Sequence, residues 1–158
     1  MKLTTLLFVL LALSVAAFGQ NVQNLYAGGL SYGVGSSPAL AGTGLYARLV
    51  ADGSGTYAFG VIDALPATVH PFTVNTNVGT GIAQKIFSSG KVSFYVPTGA
   101  GISWNGSNTG WQWSTGGAAA IPLKGSWMVL PTVRVVKSSV SGGSGYQPIV
   151  GILVGWGK

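Results

Sequence analysis

The sequence predicts an all-β chain whose eight strands close into an antiparallel up-and-down barrel. Three observations carry this reading. Apolar residues recur with a period of two along most of the chain, which is the signature of strands with two distinct faces. Beyond the N-terminus, Gly, Ser, Thr, Asn and Pro interrupt every apolar run before it reaches the length of a membrane helix. Charged residues are only 6% of the chain, against about 25% in ordinary soluble domains. With 26 glycines in 158 residues and a mean hydropathy of +0.49, such a chain must place apolar surface against a core, a partner or lipid.

The first element is an export signal. Lys2 supplies a positive start, residues 6–13 form an unbroken apolar run, and Ala17-Phe18-Gly19 places small residues at −3 and −1. Residues 1–19 therefore read as a signal peptide cleaved before Gln20, leaving 20–158 as one barrel domain. The absence of cysteine excludes disulfides and a lipid-modified N-terminal cysteine.

Strand one is expected at about 25–34, with Tyr26, Leu30, Tyr32 and Val34 opposite Ala27, Gly29, Ser31 and Gly33. Strand two, at about 43–51, sets Leu45, Ala47 and Leu49 against Tyr46, Arg48 and Val50. Strand three, at about 56–63, sets Tyr57, Phe59 and Val61 against Ala58, Gly60 and Ile62. Residues 72–83 alternate most cleanly, with Phe72, Val74, Thr76, Val78, Thr80 and Ile82 on one face. Residues 92–104 repeat the pattern from Val92 through Phe94, Val96 and Ile102 to Trp104, and residues 111–121 place Trp111, Trp113, Thr115, Ala119 and Ile121 together. The last two strands span about 126–137, with Trp127, Val129, Val133 and Val135 opposite Thr132 and Arg134, and about 146–156, with Tyr146, Val150, Ile152, Val154 and Trp156 on one face. Pro97, Pro131 and Pro148 fall inside strands, where each removes a ladder donor.

The connections alternate in length. Residues 52–55 (Asp-Gly-Ser-Gly), 88–90 and 122–125 are short turns, whereas 35–42, 64–71, 105–110 and 138–145 read as longer loops. A barrel inserted from one side has this rhythm. The uniformly apolar rows are then expected to face hydrocarbon, with small or polar residues turned inward, where Arg48 and Arg134 are the candidate lumen charges. Tyr26, Tyr57, Trp127 and Trp156 near the turns, and Phe72, Trp104, Trp111 and Tyr146 near the loops, are expected to form two girdles at the membrane interfaces.

The chain ends Gly151-Ile152-Leu153-Val154-Gly155-Trp156, a glycine followed by alternating apolar residues and an aromatic. In this, and in its eight-strand rhythm, it resembles the small outer-membrane barrels of the OmpX and OmpA transmembrane-domain type. The resemblance implies a bacterial outer-membrane location, with the lipid bilayer as partner and a structural or surface-interaction role. The loops, through polar residues such as Ser36, Ser37, Asn105, Ser107, Asn108 and Ser141, would meet a surface protein or carbohydrate. The departures are Gly157-Lys158 after the aromatic and Ile149 where the signal usually has a polar residue. The alternative is a secreted, soluble β-sandwich binding module with exposed aromatics.

Chemistry has little to work with. One His, two Asp, no Glu and no Cys leave no metal-ligand set, no cofactor site and no paired carboxylates on one strand. His70 sits in an expected loop whose near neighbours offer Thr68 and Asp63 but no serine, and no enzymatic activity is expected. The basic residues are dispersed and carry no aromatic-basic motif, which excludes nucleic acid as a partner.

Overall fold

A computed structural model describes residues 24–34, 39–51, 54–66, 74–105, 108–140 and 143–157. The expected signal peptide lies outside the described residues. The strands are β1 (Asn24–Gly33), β2 (Ala39–Leu49), β3 (Thr56–Pro66), β4 (Val74–Ser89), β5 (Val92–Asn105), β6 (Asn108–Pro122), β7 (Trp127–Val140) and β8 (Gly143–Gly157). Each pairs antiparallel with its neighbour in sequence, and β1 pairs with β8, so the sheet closes on itself. Closure leaves no unpaired edge and overturns the sandwich alternative, which needs two separate sheets.

The strands run further than the sequence periodicity suggested. Residues 39–42, 64–66, 108–110, 138–140 and 143–145, expected in loops, belong to ladders. Gly, Ser and Asn are poor strand formers alone, but in a ladder whose neighbours are already aligned each added pair satisfies backbone groups at little further cost. At the other end, Gly55, Gly90 and Gly125 take φ of 63°, 59° and 71° in the tight turns, a region open to glycine at no steric cost.

Of the three prolines expected inside strands, Pro97 and Pro131 fall where one ladder gives way. The β5–β6 register has no partners for Val96 and Pro97, and the β6–β7 register none for Leu130 and Pro131. The ladder on the other side of each remains, Pro97 opposite Ala83 and Pro131 opposite Ile152. Pro148 stays opposite Val135 and accepts from the Val34 amide at 2.7 Å. A β-bulge between Lys85 and Phe87 bends β4 near its turn.

The barrel is small enough that some wall positions tolerate no side chain. A Cβ on Gly116 would lie 2.1 Å from the Val133 carbonyl oxygen, and one on Gly81 would lie 2.1 Å from that of Thr98. Both glycines are on the inward row, where the coiled strands approach closest.

Candidate functional site: an outer belt and a two-part lumen

Most outward rows are as the periodicity describes. Leu30 (59% exposed), Ile82, Val133, Val150 and Ile152 (62% exposed) stand clear of the barrel wall on four different strands, and Ile62 of β3, expected on the inner face, joins them. Val96, Val135 and Val154 add to the same outward belt. In β2 and β3 the expected orientation is reversed. Ala41, Thr43, Ala47 and Leu49 are buried, as are Phe59 and Asp63, so the Leu45 and Phe59 rows point inward. Both faces of these strands are partly apolar, and alternation alone does not say which face closes on the axis.

Arg48 therefore lies on the outward row of β2, in register with Asn24 of β1 and Ala58 of β3, and not in the lumen. Arg134 lies on the inward row of β7. Its guanidinium forms an ion pair with the Asp63 carboxylate, whose side chain is 2% exposed. The Thr43 hydroxyl stands 2.7 Å from the same carboxylate oxygen and 2.8 Å from the Ser31 hydroxyl. On the neighbouring strands β5 and β6, Ser103 donates to Gln112 at 3.1 Å. These buried polar groups satisfy one another, as they must where water is scarce. Asp63 was not expected as Arg134's partner. It shares the row of Phe59 and Val61, and an acid on a row otherwise aimed at lipid is a sign that the row points inward.

On β2, β3, β7 and β8 much of the remaining lumen is apolar, where a small or polar interior was expected. Leu49, Phe59, Leu130, Val136, Ile149 and Leu153 are buried within it. Beyond the level of the Arg134–Asp63 pair, packed hydrocarbon fills the axis. The inner faces of β4, β5 and β6 are small by contrast: Gly79, Gly81 and Ala83, then Gly99 and Gly101, then Ser114, Gly116, Ala118 and Ala120. A cavity of about 420 Å³, lined on this side by Ala83, Ser114, Ala118 and Ala120 together with Tyr95 and Pro97, reaches from the turn residues Gly125 and Ser126 to Thr43 and Arg134.

The aromatic residues separate into groups. Near the turns Tyr26 stacks on Trp156 at 6.4 Å and meets Tyr46 at 5.0 Å, Trp127 is in register with Trp156, and Phe87 stacks on Phe94 at 4.4 Å. Near the loops Trp111 and Tyr146 are exposed on the outer face, and Trp104 shares that face half-buried. Lys137 lies between Trp113 and Tyr146 in register, its Nζ 5.2 Å from the Tyr146 ring centroid. Tyr57 is the exception: it is on the inward row and meets Tyr95 edge-on at 5.6 Å. Phe72 and His70 lie outside the described residues, as do Ser36, Ser37, Ser107 and Ser141. Asn108 is exposed at the start of β6.

A closed eight-stranded meander with an apolar exterior has known counterparts. Neisserial surface protein A (NspA) superposes with a TM-score of 0.68 over 85% of this chain and 96% of its own, at 6% identity. The chain has the fold of the small eight-stranded outer-membrane barrels. Ail, the attachment invasion locus protein of Yersinia pestis, is similar at a TM-score of 0.53 and 13% identity, over 87% of this chain and 96% of that one. No protein-family model matches the sequence, and no curated protein matches it. Among the described residues no three His, Cys, Asp or Glu side chains come together as metal ligands.

Proposed function

We propose that the protein is a non-enzymatic barrel of the bacterial outer membrane with a structural or surface-interaction role. The observation that carries this reading is the exposed apolar belt on a closed barrel. Leu30, Ile62, Ile82, Val133 and Ile152 point away from the axis, and a water-facing protein of this size rarely exposes so continuous an apolar surface. In lipid the same surface is at rest, and closure leaves no sheet edge whose amides would lack water to bond. The aromatic groups at the two ends then sit at headgroup level, Tyr26, Trp127 and Trp156 at one interface and Trp104, Trp111 and Tyr146 at the other. Arg48 and the turn lysines Lys91 and Lys124 lie where anionic headgroups and water are within reach.

Residues 1–19 export the chain in this reading, and the loops present any surface for a protein or carbohydrate partner. Fractionation of the producing cell tests it. The mature chain, beginning at Gln20 by intact mass, is expected in the outer-membrane fraction, extractable only with detergent and migrating differently on unboiled gels. Recovery from the culture medium without detergent would sink the proposal.

A further inference from the structure

The lumen cavity is unlike the rest of the interior. Its walls are Leu45, Phe59 and Val61 on one side and Leu130 and Leu153 on another, closed by Ala83 of β4, Tyr95 and Pro97 of β5, and Ser114, Ala118 and Ala120 of β6. From Ser126 to Arg134 the cavity follows eight residues of β7, about 26 Å of strand, or roughly 20 Å along the axis of a tilted eight-stranded barrel. Its 420 Å³ compares with about 150 Å³ for an apolar cavity that takes up benzene, which scales to on the order of fifteen carbon atoms. A space that long holding so few atoms is narrow, with the proportions of one extended chain.

The two ends of the cavity differ. The deep end stops at Thr43, Thr132 and Arg134, whose charge Asp63 already neutralises, so an anionic group there would meet the Asp63 carboxylate. The mouth opens among Asn24, Gly125 and Ser126 at the turn end. Lys85, on the inward row beside Gly55, and Lys91 and Lys124 in the turns are all exposed at this end, against Asp52 as the one acid in the turn sequences. The turn end that carries the mouth is thus net basic, and the bore is mainly apolar.

We infer that the lumen is a binding site for a single-chain anionic amphiphile of the fatty-acid class, its tail lying along the bore and its headgroup at the lysine rim. Eight-stranded barrels are wide enough to enclose one small ligand when their inner side chains leave room, and here Ala83 of β4 and Ser114, Ala118 and Ala120 of β6 leave it. The bulky residues opposite supply apolar contact along the length of the tail. The inference rests on the outer-membrane reading only for the direction in which the mouth opens.

The test uses the full mature chain, methyl-labelled and otherwise deuterated, in nanodiscs of deuterated neutral phosphatidylcholine, titrated with dodecanoate. Saturable shifts and NOEs from the probe chain to the inward methyls of Leu130, Leu153 and Met128 are expected. Contacts confined to the outward methyls of Leu30 and Ile152 would mean partitioning into the bilayer only and would overturn the site. Ala118→Phe and Ala83→Phe, on separate strands, are expected to weaken the inward response at least about tenfold by filling the bore. Should bulky residues block folding, the exposed pair Lys85→Glu/Lys124→Glu decides. It is expected to weaken dodecanoate by roughly two- to fivefold while leaving dodecanol unchanged, and equal behaviour of the two probes overturns the headgroup assignment. A chain that never enters the nanodisc refutes the membrane reading, whereas one that enters and binds nothing refutes the ligand alone.

Discussion

Arg134 and Asp63 meet across the barrel axis: β7 and β3 are four strands apart in either direction round the wall, so their ion pair braces diametrically opposite sides. Thr43 of β2 joins the same carboxylate. No pair of neighbouring strands could make this contact, and it fixes the cross-section of the barrel at that level.

Breaking the brace on one side leaves a buried charge without its counter-ion. Asp63→Asn is expected to destabilise the barrel by about 3–5 kcal/mol, read from urea unfolding of the refolded protein in lipid vesicles. The double variant Asp63→Leu/Arg134→Met is expected to recover most of that loss, because two apolar side chains need no partner. A double variant as unstable as the single one would show that the pair does more than neutralise itself.

Adjacent glycines on β6 should respond oppositely. A Cβ on Gly116 collides with the β7 backbone at 2.1 Å, whereas one on Gly117 meets only the Val133 side chain at 3.7 Å, an ordinary contact. Gly116→Ala is therefore expected to reduce the folded fraction on an unboiled gel sharply, and Gly117→Ala to leave it unchanged. Equal outcomes would contradict the wall geometry.

The belt makes a depth-dependent prediction. Ile152→Arg, in the middle of the outward row of β8, is expected to cost about 2–4 kcal/mol in a bilayer, and Tyr146→Arg, near the loop end, about 0–1 kcal/mol. Unfolding in vesicles measures both, and equal costs would place the belt at the wrong height.

The five tryptophans offer an independent check, since Trp104, Trp111, Trp113, Trp127 and Trp156 all lie on outward rows. Lipids brominated close to the headgroup are expected to quench their fluorescence more strongly than lipids brominated at the chain end, as rings held at the interface require. Stronger quenching from the chain end would remove the girdles.

At the turn end, Gly125 has a φ of 71° with open space around its α-carbon, so conformation alone sets the cost of a side chain there. Gly125→Ala is expected to lose about 1–2 kcal/mol in the same unfolding assay.

Much of this molecule follows from its one-dimensional pattern. The period of two, the Gly-containing turns at 52–55, 88–90 and 122–125, and the scarcity of charge suffice for eight antiparallel strands with an apolar face, because these depend on neighbours along the chain. The facing of β2 and β3 does not. Leu45 and Phe59 point inward and Arg48 outward because the closed sheet has only one inside, and a strand apolar on both faces enters it in whichever sense its neighbours' registers impose. Asp63 finds Arg134, and the small residues Ala83, Ser114, Ala118 and Ala120 leave a bore against leucines on other strands, only when residues far apart in sequence are brought round the same axis. Alternation along a strand is a local property, whereas what fills the middle of a barrel is decided by all eight strands at once.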